Sequence, residues 1–204
     1  MRVFGMAACC VLTMGTMVSG TAVAAAQMGA PAAQGPAIGS ISAPSAALDA
    51  QLSLIEMQMM GAVKAMPAEK YGFAPSAGIF AAAQKTEFAT VRTFGQQVAH
   101  VAEANYFFFN MVSGLKPDVD VQGIEKLTSK DDVVNALAGS FAFGHKAIAT
   151  LTAANAFEVI KWPEPGLATR ATVASFAVAH AFDHYGQMVE YLRMNGMVPP
   201  ASAK

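Results

Sequence analysis

The chain has 204 residues, enough for one ordinary domain plus a tail. It is 54% hydrophobic and 13% charged, with a formal net charge of −1, so it carries no basic footprint for nucleic acid. Its cysteines, Cys9 and Cys10, both lie near the start, which leaves the remainder no thiol for a disulfide, a nucleophile or a metal.

Residues 1–26 read as a secretory signal peptide. Arg2 is the basic start, Val3 to Val18 is the apolar stretch, and Ala24-Ala25-Ala26 supplies the small residues of a cleavage site before Gln27. Gly15, Ser19 and Gly20 interrupt the apolar run, which falls short of the ~20 residues a spanning helix needs. The expected location is therefore periplasmic or secreted, with no integral membrane segment after cleavage. Loss of Arg2 takes the net charge from −1 to −2. Residues 27–44 are Ala, Gly, Pro and Ser with few large side chains, a composition that buries too little to offset its ordering entropy and reads as a flexible linker.

Four helices are predicted over a domain at 45–200. The first spans about 46–66, where Leu48, Leu52, Ile55, Met59, Val63 and Met66 recur at three- and four-residue steps and Pro67 ends the run. Its methionines read as core filling. A long connection, 67–92, follows. The second helix runs from Thr93 to about Val112, with Thr93 and Gln96 at capping-box spacing and Phe94, Val98, Val101, Phe108 and Val112 on one side. The third starts at Ser129, capped through Asp132, with a stripe of Val133, Val134, Leu137, Phe141, Ile148 and Leu151. A loop over 153–168 leads to the fourth, 169–194, which Asn195-Gly196 stops and Pro199-Pro200 keeps from resuming. Four amphipathic helices without an alternating strand pattern predict an all-α fold, a four-helix bundle.

His180 and His184 are four apart and share a helix face with Val173, Ala177, Gln187 and Tyr191, so they point inward. His100 lies at the margin of the second helix's stripe. Packing the second and fourth helices side by side would present all three imidazoles to one point. Three imidazoles suit zinc, nickel, copper or iron, and three protein ligands leave a position for water or substrate. The pair alone fits core histidines as well as it fits ligands, although burying two imidazoles without partners is costly.

Thr93 to Phe109, TFGQQVAHVAEANYFFF, resembles the second-helix signature of the DinB-like superfamily, a group of metal-binding four-helix bundles. His180 to Pro200, HAFDHYGQMVEYLRMNGMVPP, is similar to the family's last helix, with its His-x-x-x-His-x-Gly-Gln core and closing prolines. Met66 to Pro75, MPAEKYGFAP, resembles the segment after the first helix. The resemblance implies that His100, His180 and His184 bind one divalent metal ion, zinc or nickel first, iron or copper otherwise. Some family enzymes use low-molecular-weight thiols in the cytoplasm, which an exported copy would not meet.

The resemblance gives His145 no role, and it reads as a partly exposed surface histidine. Asp183 and Glu103 each follow a candidate ligand by three residues and read as solvated carboxylates or, alternatively, as groups that orient an imidazole or act as a base. Gln187 lies one turn after His184, free to hydrogen-bond a bound water or to satisfy packing. Gly186 inside the fourth helix suggests a close helix approach beside the metal. Tyr185, Tyr106 and Phe107 to Phe109 read as packing. The functional expectation is a metal-dependent hydrolase or group transferase of unknown substrate; the alternative is a non-catalytic metal-binding or interaction bundle. A small-molecule partner and a homodimer are both compatible with the sequence.

Overall fold

Pro44 sits at the first position of α1, Pro44–Ala65, where its missing N–H costs nothing and its fixed φ suits a helix start. The computed structural model describes residues 35–76, 91–163 and 166–203. The expected signal peptide, the linker up to residue 34 and most of the second half of the 67–92 connection lie outside them. Residues 35–43 carry no helix. Three further long helices follow: α2, Phe94–Ser113; α3, Lys130–Ile148; and α4, Arg170–Met194. All lie within the compact unit Gly39–Lys204.

The helix boundaries have local causes. Thr93 accepts from the Gln96 backbone N–H at 3.2 Å while the Gln96 side chain accepts from the Thr93 N–H at 2.9 Å, so the capping box forms as the sequence specifies. Gly114, at φ 75°, ends α2 in the left-handed conformation that glycine adopts without penalty. Ser129 caps α3 by accepting from the Asp132 N–H, and its own hydroxyl donates to the Asp132 carboxylate at 2.6 Å. Thr169 and Thr172 form a second capping box at the start of α4, where Thr169 also makes an isolated bridge to Val159 of the 153–168 connection.

Helix α2 packs against α3 and α4, and α1 packs against the same two. The result is a four-helix bundle with α1 and α2 on one diagonal. Leu52, Ile55, Met59, Phe94, Phe109, Phe141, Leu137, Ile148, Met188 and Leu192 fill its centre, each contributing about 1.5–3 kcal/mol through burial. Met57 departs from the expected core role and is exposed. A close helix approach lies at Gly144 of α3, where an added Cβ would lie 2.6 Å from the Phe109 ring and 3.1 Å from Leu52.

Two features fix the region before α2. Tyr71 is buried, donates to the Val63 carbonyl at 2.6 Å and accepts Gly95 N–H on its own carbonyl at 2.8 Å. Lys130 Nζ donates to the carbonyls of Lys64 and Met66, satisfying the open end of α1. His145 is partly exposed, as its position suggested, but it is engaged on both sides. Nδ1 meets Asp49 at 2.5 Å and Nε2 meets Glu56 at 2.9 Å, clipping α3 to α1. Among the described residues, no helix is long and apolar enough to cross a membrane.

Candidate metal centre

Helices α2 and α4 bring the three expected histidines together. One nitrogen each from His100, His180 and His184 lies within 4.8 Å of the others. The ring centroids are 5.2 Å apart for His100 and His180, 4.8 Å for His100 and His184, and 4.5 Å for His180 and His184. Phe108 stands at the back of this cluster, 5.4 Å from His180, with Trp162 and Phe176 beyond it. His184 is buried and the other two are half-buried.

A hydrogen-bond chain that runs inward from the surface fixes the protonation pattern of His184. The Asp183 carboxylate accepts from Gln187 Nε2 at 3.1 Å. Gln187 Oε1 accepts from Gln97 Nε2 at 2.7 Å, and Gln97 Oε1 faces His184 Nδ1 at 2.6 Å. An ionised carboxylate only accepts, so each amide in turn must present its NH2 toward Asp183 and its oxygen toward His184. His184 Nδ1 therefore carries the proton and donates, and Nε2 holds a lone pair.

That lone pair faces His180 Nε2 at 3.2 Å, while His180 Nδ1 is buried with no hydrogen-bond partner among the described residues. A proton on Nε2 would let His180 donate to His184 but leave Nδ1 a buried, unpaired acceptor. A proton on Nδ1 makes that atom a buried, unpaired donor and leaves two lone pairs pointing at each other. A cation between the two Nε2 atoms relieves the opposed lone pairs, and 3.2 Å is close to the separation of about 3.3 Å between two nitrogens on one tetrahedral zinc. The residues present thus fit a divalent ion.

The electrostatics agree. Burial pushes His100 down to about 4, with the charges of Arg92 and His180 adding to the shift and Glu125 opposing it. Burial, then the other two imidazoles, take His184 down to about 4. Burial also lowers His180, against the pull of Asp183. Neutral imidazoles are the form that ligates. Burial, and a hydrogen bond with Glu125, raise Glu103 above the usual carboxylate range. Both carboxyls lie beside His100: Glu125 in a cavity of about 530 Å³ that His100 also lines, and Glu103 in a second, of about 480 Å³, on which His100 again borders.

A family model described as the DinB superfamily matches residues 51–188. The chain belongs to the DinB superfamily. No curated protein matches it. The DinB superfamily match spans the whole of α2 and all three histidines.

Several expectations need revision. Gly186 marks no close helix approach: it is exposed, and a Cβ there would meet nothing within 4 Å. Nothing in the structure explains that glycine. Gln187 serves Gln97 and Asp183. Asp183 is exposed as expected, yet it anchors the chain that orients His184. Glu103 is half-buried and paired with Glu125, so it is not a freely solvated carboxylate. Tyr106 packs as expected, whereas Phe107 departs from the expected packing role and is exposed; both line the second cavity with His100. Gln97 escaped the sequence reading, because only the packing of α4 against α2 shows that this polar residue, three positions before His100, is buried. Arg92 and Glu125 had no signal, since neither lies on a helix stripe.

Proposed function

We propose that this chain is an exported DinB-superfamily protein in which His100, His180 and His184 hold one divalent ion, zinc or nickel in preference to iron or copper, and that the site performs hydrolysis or group transfer on a small molecule. The observation that carries this reading is the meeting of the His180 and His184 Nε2 atoms at 3.2 Å, with the His184 proton held on the opposite nitrogen. A divalent ion there supplies Lewis acidity, polarising or deprotonating what it coordinates. The chain's own residues supply the rest. Gln97, Gln187 and Asp183 hold one imidazole in register. Glu103, whose proton affinity is raised by burial and by Glu125, can hold or deliver a proton beside His100. Phe108, Trp162 and Phe176 close the back of the cluster.

A second reading, without turnover, draws on the origin of all three ligands in α2 and α4 alone: an ion would pin those two helices and stabilise the bundle. Metal analysis of protein purified without a histidine tag separates the readings. Bound metal whose signal responds to small thiols or phosphate favours the reactive site; bound metal that neither perturbs favours the structural one; absence of metal removes both. Export rests on Arg2, the apolar stretch and Ala24 to Ala26. Intact-mass analysis of protein recovered outside the cytoplasm is expected to give a start near Gln27, and a full-length species there, or one lipid-modified at Cys9 or Cys10, would overturn it.

A further inference from the structure

Arg92 precedes the cap of α2, and its backbone is pinned to α4, where Tyr191 Oη donates to the Arg92 carbonyl at 3.1 Å. Its side chain is unlike those of the other described arginines. Arg170 pairs with Glu158 at 2.9 Å and Arg193 with Glu190 at 2.6 Å. Arg92 makes no ion pair and no side-chain hydrogen bond among the described residues. It lines the cavity of about 530 Å³ together with Gln96, His100 and Glu125. It shares that cavity with His100, and its charge is felt by all three imidazoles and by Glu103.

Glu103, Glu125 and Asp183 lie around the same histidines, yet none of them pairs with the Arg92 guanidinium among the described residues. An unpaired guanidinium offers a planar fork matched to an oxyanion.

Resting on the metal-site reading above, we propose that Arg92 anchors an oxyanion group of the substrate, a carboxylate or a phosphate, at the polar mouth of the site, so that the rest of a small anionic molecule reaches the three histidines. The second cavity, which shares His100 and is lined by Ala104, Phe107 and Val121, gives such a molecule room for an apolar body.

The test uses the purified, untagged chain, zinc-loaded and metal-free, titrated with inorganic phosphate and with propionate. The variants are Arg92→Gln and Arg92→Lys, with Arg193→Gln as a surface control. Arg92→Gln is expected to weaken oxyanion binding by about tenfold or more, the effect of losing a charge-assisted pair. The same variant is expected to bind zinc more tightly than the parent, because a positive charge has left the neighbourhood of a cation. Arg92→Lys keeps the charge without the fork, so it should leave zinc affinity as in the parent and give intermediate oxyanion affinity. Opposite movements of the two ligands cannot come from misfolding. Selective loss of phosphate binding identifies a phosphate-bearing substrate, and selective loss of propionate binding a carboxylate. Equal oxyanion affinity in parent and Arg92→Gln, or zinc and oxyanion weakened together, would overturn the proposal. If the parent takes up no zinc, the metal reading fails by itself. The metal-free titration still decides the anion site: a saturable response of the Arg92 side-chain NMR signals supports it, and no response refutes it.

Discussion

Replacing Gln97 with leucine should weaken metal binding without touching a ligand. Gln97 is buried and is the single partner of the His184 Nδ1 proton, at 2.6 Å. Leucine has similar bulk and cannot accept. His184 Nδ1–H is then a buried donor without a partner, which costs about 1–3 kcal/mol. In the metal-free protein the imidazole can escape that cost by moving its proton to Nε2 and donating to His180 across the 3.2 Å gap. Metal binding must reverse this shift, so the cost falls on the loaded state. Loss of a partner that orients a metal-ligating histidine typically reduces affinity by about 10–100-fold, which corresponds to about 1.4–2.7 kcal/mol. Two measurements check it: zinc affinity by competition with a chelator of known strength, and the ring nitrogen shifts of labelled histidine in metal-free protein, where the proton on His184 should move from Nδ1 to Nε2. Zinc affinity equal to that of the parent would refute the orienting role of the Asp183–Gln187–Gln97 chain.

Gly144→Ala is expected to destabilise the bundle by about 1–3 kcal/mol in denaturant titrations, because the new Cβ would lie 2.6 Å from the Phe109 ring. Gly186→Ala, with nothing within 4 Å, should instead stabilise it by up to about 1 kcal/mol through helix propensity; the same sign for both would contradict the packing described. The two histidine environments should give opposite pH responses. Burial opposes the charge of His145, but hydrogen bonds to and the charges of Asp49 and Glu56 outweigh it and raise its pKa. Its contribution is therefore complete below the unfolded value near 6.5 and lost as pH rises through the folded value. His145→Gln should cost about 1 kcal/mol at pH 6 and less at pH 9 by urea unfolding of metal-free protein; a gap that widens with pH would refute the clip. The three-histidine cluster runs the other way. His100 and His184 are held down to about 4, so the unfolded chain binds more protons between about 4 and 6.5, and stability falls as pH drops through that window.

The helices were legible because each buried stripe repeats at helical spacing and the starts of α2 and α3 carry their own signals. Thr93 with Gln96 and Ser129 with Asp132 are local features that no tertiary contact has to create. The histidine cluster was legible in part for the same reason: His180 and His184 are adjacent by helix geometry, whereas His100 needed a pairing of α2 with α4 that the DinB-like motifs supplied. What the sequence hid depends on neighbours remote in the chain. Gln97 looks like any polar residue beside an apolar stripe until Gln187 arrives from α4. Glu125 reaches His100 from the short helical turn Val121–Lys126, which has no amphipathic pattern to read. Gly144 and Gly186 are both helical glycines, and only packing distinguishes the one that permits close approach from the one that faces solvent. His145 was placed correctly at the surface, but its two carboxylate partners lie on α1, about ninety positions earlier.

Metal stoichiometry of single histidine variants, by mass spectrometry under native conditions, tests the site most directly. The untagged parent is expected to carry one divalent ion. His180→Ala, His184→Ala and His100→Ala should each lose it, since each removes one of three ligands and no cysteine of the bundle can substitute. His145→Ala should keep it, because both ring nitrogens of His145 already face carboxylates of α1. His100→Ala is the decisive variant, being on a different helix from the pair. If it binds metal as the parent does while His145→Ala loses it, or if all four variants bind equally, the three-histidine centre between α2 and α4 is not the metal site.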